Sequence, residues 1–262
     1  MLNELTILAG IDKAGIRETY GKITLRAGET ISIVGPTGSG KTAFITDIEL
    51  LAQEDTSTKR RILINGDVPD DAVRYNPALK PIAMITQNTK CFADLTTEEF
   101  LQIHARARNI AERRIITDTI SLANIFTGEK IYRENKVTTL SGGQTRALLI
   151  ADAILIGSAP IVLLDEIENA GIFKREVMDI IQGTGKIIVF VTHDPVIALH
   201  TKKRLIMENG GVKKVIDRNE LEIYAARNLE AIDKKIGVIR EELRAGNIIT
   251  RELADLQQLV DL

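Results

Sequence analysis

The stretch that most constrains this chain is Gly35-Pro36-Thr37-Gly38-Ser39-Gly40-Lys41-Thr42, which fits the pattern G-x-x-x-x-G-K-[ST]. An apolar run containing Ile31, Ile33 and Val34 precedes it, and Ala43-Phe44-Ile45-Thr46-Asp47-Ile48-Glu49-Leu50-Leu51 follows. Strand, glycine loop, helix is the context in which this pattern binds phosphate. The glycines let backbone N–H groups close around phosphate oxygens, and the helix N-terminus adds its positive end. In that setting Lys41 reaches the β- and γ-phosphates of a nucleotide, and the Thr42 hydroxyl ligates Mg²⁺.

A chain of 262 residues has room for one α/β domain with an appendage, or for two small domains. The formal net charge of −2 speaks against a general affinity for nucleic acid. Cys91 stands alone, which excludes an internal disulfide framework and suits a reducing compartment. No apolar run approaches the roughly 18 residues that span a bilayer. Met1-Leu2-Asn3-Glu4 lacks the basic start of a signal peptide. The expectation is a cytoplasmic protein whose link to a membrane, if it has one, runs through a partner.

Residues 3–34 read as short strands: Leu5–Leu8, Gly21–Leu25 and Thr30–Val34, forming a small, partly antiparallel β layer. After the helix over 41–51, Arg61–Gly66 reads as a strand ending in a turn, followed by a Pro- and Asp-rich loop and a strand at Ile82–Ile85. From about 95 to 156 the pattern turns helical, with Thr96/Thr97 and Glu99 opening the first helix and Ser141 capping the last. This block lies between strands, as an inserted helical subdomain does. Ile161–Leu164 and Ile187–Val191 are continuous apolar runs, expected of strands buried on both faces of a parallel sheet. A helix is expected around 175–181. Arg204–Met207 and Gly211–Val215 form a hairpin about Asn209-Gly210.

Asp165 and Glu166 end one of those buried runs, so both carboxylates emerge at the C-terminal edge of a central strand, where ligands of such sheets sit. Asp165 is placed to hold Mg²⁺ through water, and Glu166 to polarise the attacking water or take its proton. Leu140-Ser141-Gly142-Gly143-Gln144 opens a helix with a hydroxyl and two bare backbone N–H groups, which reads either as an ordinary N-cap or as a second anion site. Since one nucleotide rarely needs two phosphate sites, the economical reading is that Ser141, Gly142, Gly143 and Gln144 face the phosphate loop of a second molecule.

The order Gly35–Thr42, Gln87, Leu140–Gln144, Ile161–Glu166 and His193 resembles the ATP-binding cassette (ABC) ATPases: Walker A, Q-loop, signature, Walker B and switch histidine, over about residues 5–216. The resemblance implies a P-loop NTPase fold of ABC type, with a mixed core sheet, a small antiparallel layer and an inserted helical subdomain. It implies ATP and Mg²⁺ bound in a head-to-tail homodimer or heterodimer with a second ABC subunit. By it, Gln87 touches Mg²⁺ or the attacking water, and His193, in Val191-Thr192-His193-Asp194, contacts the γ-phosphate.

Three stretches depart from that family's pattern. Ile167-Glu168-Asn169-Ala170-Gly171-Ile172 stands where P-T-S-A-L-D is usual, so Ile172 replaces the D-loop aspartate. No aromatic lies around Ile11–Ala14, where many members stack one on adenine; Tyr20 is nearest. Thr145-Arg146-Ala147-Leu148 replaces the usual Q-R-V/A run and keeps the basic position at Arg146.

Two function classes fit. Gln87–Phe100, with Phe92, is similar to the form that receives a membrane permease's coupling helix, which makes the chain the motor of a transporter, peripheral at the inner face of the membrane. Asp165-Glu166-Ile167-Glu168-Asn169 is similar to a segment of RecF-like members, which makes it a soluble ATPase that remodels a protein or serves DNA maintenance. The division expected is an ATPase domain over 1–218 and a helical hairpin tail over 219–262. In the tail Leu229, Ile232, Ile236, Ile239 and Leu243 form an a/d seam, and Gly246-Asn247 precedes a second helix carrying Leu253, Leu256, Leu259 and Val260. That seam packs either on the chain's own domain or on a partner.

Overall fold

The computed structural model describes residues 2–86, 88–110, 113–127, 129–166, 180 and 183–250. A six-stranded sheet runs β5-β6-β7-β3-β8-β9, where β3 is Thr30–Val34, β5 Ile82–Ile85, β6 Ile161–Asp165, β7 Ile187–Val191, β8 Lys203–Glu208 and β9 Gly211–Asp217. The first five are parallel and β9 returns antiparallel. A second, antiparallel sheet has the order β2-β1-β4, from β1 (Glu4–Leu8), β2 (Lys22–Arg26) and β4 (Arg61–Ile64).

β6 and β7 are buried along their apolar lengths, and alternate residues serve two cores. Val162, Leu164, Ile188 and Phe190 face a helical block whose core includes Phe100, Leu101, Ile120 and Leu148. Ile161, Leu163, Ile187 and Val189 face Ile45 and Ile48 of helix α1 (Lys41–Glu49), with Leu5, Ile7 and Ile62 of the antiparallel sheet behind. Period-two alternation with both faces apolar is what a parallel sheet between layers requires.

The first strands are corrected. β3 does not belong to the antiparallel layer; it pairs in parallel with β7 and β8, and β4 takes its place beside β1. The Pro- and Asp-rich loop contains a short helix, α2 (Asp71–Tyr75), which stops at Asn76 ahead of Pro77. The helical block consists of α3 (Thr97–Ala107), α4 (Arg113–Ile125) and α5 (Gly142–Leu155). α3 and α5 each start with a reciprocal capping box, Thr96 with Glu99 and Ser141 with Gln144. The β8–β9 turn has positive φ at both Asn209 (49°) and Gly210 (86°), as a type I′ hairpin demands. The helix expected over 175–181 lies almost wholly outside the described residues, as do Gln87 and Ile172. So do Leu253, Leu256, Leu259 and Val260 of the expected second tail helix. The described chain ends beyond α6 (Pro195–His200) and α7 (Glu220–Arg244).

A buried ion cluster ties these layers together. Arg60 is wholly inaccessible, and its guanidinium donates to Glu18 (2.6 and 2.9 Å), Asp47 of α1 (2.8 Å) and the Gly210 carbonyl (3.0 Å), while stacking over Phe44. Glu18 accepts two further bonds, from the N–H groups of Gly10 and Val212. Removing one member leaves its partners charged and buried, which costs about 3–5 kcal/mol. Arg60→Met is therefore expected to lower Tm by about 6–20 °C. A differential scanning fluorimetry shift under about 2 °C would show that water or rearrangement satisfies both carboxylates.

Candidate functional site

The C-terminal ends of the parallel strands meet at one edge. β3 runs into residues 35–42 and then α1, β6 ends at Asp165 with Glu166 next, and β7 delivers Thr192 and His193. Because β7 lies between β6 and β3, His193 emerges between the carboxylates and the glycine loop. β5 ends at Ile85 on the same edge.

In the loop, the Lys41 ammonium turns back to donate to the carbonyls of Gly35 (2.8 Å) and Pro36 (3.1 Å), so it lies inside the turn that a phosphate would fill. Lys41 is only 7% exposed, and the Ser39 Oγ is buried without a hydrogen-bond partner. A buried cation and an orphaned hydroxyl on one glycine turn fit an anion. Gly40 has φ 99°, and a Cβ there would meet the Gly210 Cα at 2.6 Å, so neither the conformation nor the space admits a side chain.

Two more loops buttress this one. Gly210 N–H donates to the Ser39 carbonyl, and Lys13 N–H to the Asn209 carbonyl. The Lys13 ammonium donates to the Gly38 carbonyl at 2.7 Å. Asp12 holds its own loop by accepting from the N–H groups of Ala14 and Ile16. Nothing in the sequence marked Lys13 or the Glu18–Arg60–Asp47 cluster, because their partners lie far along the chain.

Glu166 has φ 50°, a left-handed conformation uncommon for a residue with a side chain, and its N–H donates to the Val191 carbonyl. That turn aims the half-buried carboxylate at His193, with Oε1 3.4 Å from Nε2. His193 is held on both sides. Thr192 is buried and its N–H donates to the Ile33 carbonyl of β3; Asp194 caps α6 by accepting from Val196 and Ile197, with Pro195 at the first helical position. The Asp-Pro pair is a signal that the sequence does carry. A cavity of about 450 Å³ opens here, lined by Gly35, Pro36, His193, Asp194 and Arg204 among others.

Thr42 is exposed at the start of α1 and Asp165 is half-buried at the end of β6. A hydroxyl and a carboxylate are hard oxygen donors that suit Mg²⁺ shared with substrate phosphates. No cluster of three or more His, Cys, Asp or Glu able to hold a metal alone exists among the described residues. Ser141, Gly142, Gly143 and Gln144 lie at the head of α5. Ser141 and Gly142 are exposed, and a Cβ on Gly142 would meet nothing within 4 Å. The Ser141 and Gln144 side chains are engaged in the capping box, and Gln144 also donates to the Lys130 carbonyl at 3.4 Å.

Tyr20, the nearest aromatic, packs on the core with its hydroxyl buried; burial, aided by the Glu18 carboxylate, pushes the phenol above its ordinary range. Its hydroxyl lies beside the Arg60 cluster. If nucleotide binds here, GTP is expected to compete with ATP within about tenfold, one lost stacking contact being worth roughly 1–3 kcal/mol. Competition titrations with a fluorescent ATP analogue measure this, and strong discrimination would mean that another group reads the base.

A family model described as "ABC transporter" matches residues 21–169. The chain is 46% identical, over 96% of each sequence, to an uncharacterised ABC transporter ATP-binding protein of Methanocaldococcus jannaschii. It is 30% identical to the thiamine import ATP-binding protein ThiQ of Brucella suis, over 90% of this chain and 99% of that one. Among solved structures it is similar to CbiO1 of Clostridium perfringens, part of the CbiONQ transporter complex, at 21% identity, with a TM-score of 0.61 over 92% of this chain and all of that one.

Proposed function

The chain belongs to the ABC transporter ATP-binding family, and from that premise we propose that it is the ATP-hydrolysing motor of a membrane transporter. The observation that carries the reading is the meeting of Lys41, Glu166 and His193 at one sheet edge, with Glu166 and His193 3.4 Å apart. Gly35 to Thr42 hold the triphosphate, and Lys41 exchanges its two carbonyl bonds for the β- and γ-phosphate oxygens. Thr42 and Asp165, with Gln87, would hold Mg²⁺, which would supply positive charge to the triphosphate. Glu166 takes a proton from water as that water's oxygen bonds to the γ-phosphorus. The bridging P–O bond then breaks, giving ADP and phosphate. His193 keeps the γ-phosphoryl and Glu166 in line.

Ser141, Gly142, Gly143 and Gln144 close the site from a second ABC subunit. The exposed head of α5, turned to solvent with bare glycines, supports that role. Residues 1–218 form the ATPase unit in this reading, and 219–262 a C-terminal tail. No helix among the described residues is long and apolar enough to cross a membrane; in this reading the transport path belongs to a partner.

A permease fits the exposed apolar side chains of this chain. Leu50, Tyr75 and Leu79 are exposed around the end of α1, where Lys80 pairs with Glu49 and Arg74 donates to the Leu51 carbonyl. Phe92, beyond β5, is 84% exposed. A large aromatic side chain kept in water on the loop that leaves the site's edge of the sheet suits a docking contact, and Leu50, Tyr75 and Leu79 form a separate apolar patch toward the opposite edge. Affinity purification from native membranes tests this: a polytopic protein is expected to co-purify and to be lost with Phe92→Asp. Recovery of soluble partners only, unaffected by that substitution, would favour the protein-remodelling class.

A further inference from the structure

α7 leaves the body of the protein carrying an apolar stripe. Its first turns are anchored: Asn219 and Glu222 form a capping box, Glu222 pairs with Arg204, Ala226 is buried, and Glu230 meets His200 of α6 at 2.5 Å. Residues 222, 226 and 230 thus define the side that faces the body. Leu229, Ile232, Ile236, Ile239 and Leu243 lie roughly a quarter-turn away around the helix. Ile232 is 40%, Ile236 38% and Leu243 61% exposed. Five large aliphatic residues in an a/d repeat over two heptads form a seam.

The flanking charges are arranged to complement those of a second copy of the same helix. With Leu229, Ile236 and Leu243 at a and Ile232 and Ile239 at d, the e positions are Asp233 and Arg240, and the g positions include Lys235 and Glu242. Two antiparallel copies, with Ile236 facing Ile239 and Ile232 facing Leu243, bring e beside e and g beside g. Asp233 then meets Arg240 and Lys235 meets Glu242, each pair occurring twice by symmetry. Two parallel copies bring g beside the following e, setting Lys235 against Arg240. Opposite charges favour the first arrangement and like charges oppose the second.

We propose that α7 pairs with α7 of a second copy of this chain as a two-fold antiparallel coiled coil, sealed by Ile232, Ile236, Ile239 and Leu243. The contact is made by the tail and needs no nucleotide, which separates it from an ATP-bound association of the catalytic faces. A two-heptad seam is small, below about 1,200 Å², so the expected dissociation constant is on the order of 10 µM.

Sedimentation equilibrium of the full, nucleotide-free chain at concentrations up to the order of 100 µM is expected to show a monomer–dimer equilibrium. Ile236→Asp should weaken it roughly tenfold or more by placing a charge in the seam, with Tm nearly unchanged. Lys235→Glu should weaken it about threefold to tenfold, and adding Glu242→Lys should restore it. A wild-type monomer at these concentrations overturns the proposal, and a fall in Tm with Ile236→Asp in that monomer would mean the chain's own residues 251–262 cover the stripe. Tighter association with Lys235→Glu overturns it in favour of a parallel pair. A dimer indifferent to both substitutions places the contact elsewhere.

Discussion

Glu166→Gln is expected to slow ATP hydrolysis by about two orders of magnitude or more, the loss typical of a removed general base. Gln matches Glu in size and carries the same left-handed backbone penalty at φ 50°, so the fold and Tm should stay as they are. The amide can still face His193 across 3.4 Å, while its oxygen no longer takes a proton from water. Binding and chemistry therefore separate in this variant: ATP affinity should hold or rise while turnover falls. Single-turnover hydrolysis with radiolabelled ATP, beside equilibrium binding, measures both. If the Ser141–Gln144 face of a second subunit closes the site, the variant should also accumulate an ATP-dependent association. Retention of a tenth or more of wild-type turnover would remove Glu166 from the role of base.

Lys41→Ala is expected to reduce turnover at least about a hundredfold and to weaken ATP binding, because it deletes the nearly buried cation inside the glycine turn. The two carbonyls it leaves, on Gly35 and the exposed Pro36, can turn to water, so the fold should survive. Lys41→Arg should rescue little: a planar fork cannot occupy a seat built for a point charge donating to two carbonyls. ADP affinity should suffer less than ATP affinity, since the γ-phosphate contact is absent in both proteins for that ligand. Equal losses for AMP, ADP and ATP would indicate a collapsed loop rather than a missing phosphate contact.

The parts of this protein that could be read in its sequence are those whose geometry is written locally. The glycine loop, the Ser141 cap and the Asn209-Gly210 hairpin each depend on backbone conformations that a few neighbouring residues dictate, and each appears where expected. Ile161–Leu164 declared two buried faces by lacking polar residues, but not which strands would flank it. For the same reason the sequence alone does not place β3 in its sheet: Ile31 and Ile33 look alike whether their neighbours are β1 and β2 or β7 and β8. α2 was hidden because Asp70 and Pro77 read as turn residues and turn out to bound one helical turn. Arg60 is the extreme case, since a charged residue at full burial is the opposite of what its type suggests. Only the meeting of Glu18, Asp47 and Gly210 around it makes sense of the burial.

The neighbours of β3 also set a timetable for a growing chain. The strand that carries the glycine loop is flanked by β7 and β8, and the Gly40 turn rests against Gly210, so its walls are made long after it is. At ribosomal speed the interval between Gly35 and Gly210 is roughly 10–35 s. Until β7 is made, both hydrogen-bonding edges of β3 lack their partners, and the second edge waits for β8, a state prone to mispairing that holding chaperones are suited to shield. A nascent chain released before residue 210 would contain every residue of the glycine motif and still have no floor under it.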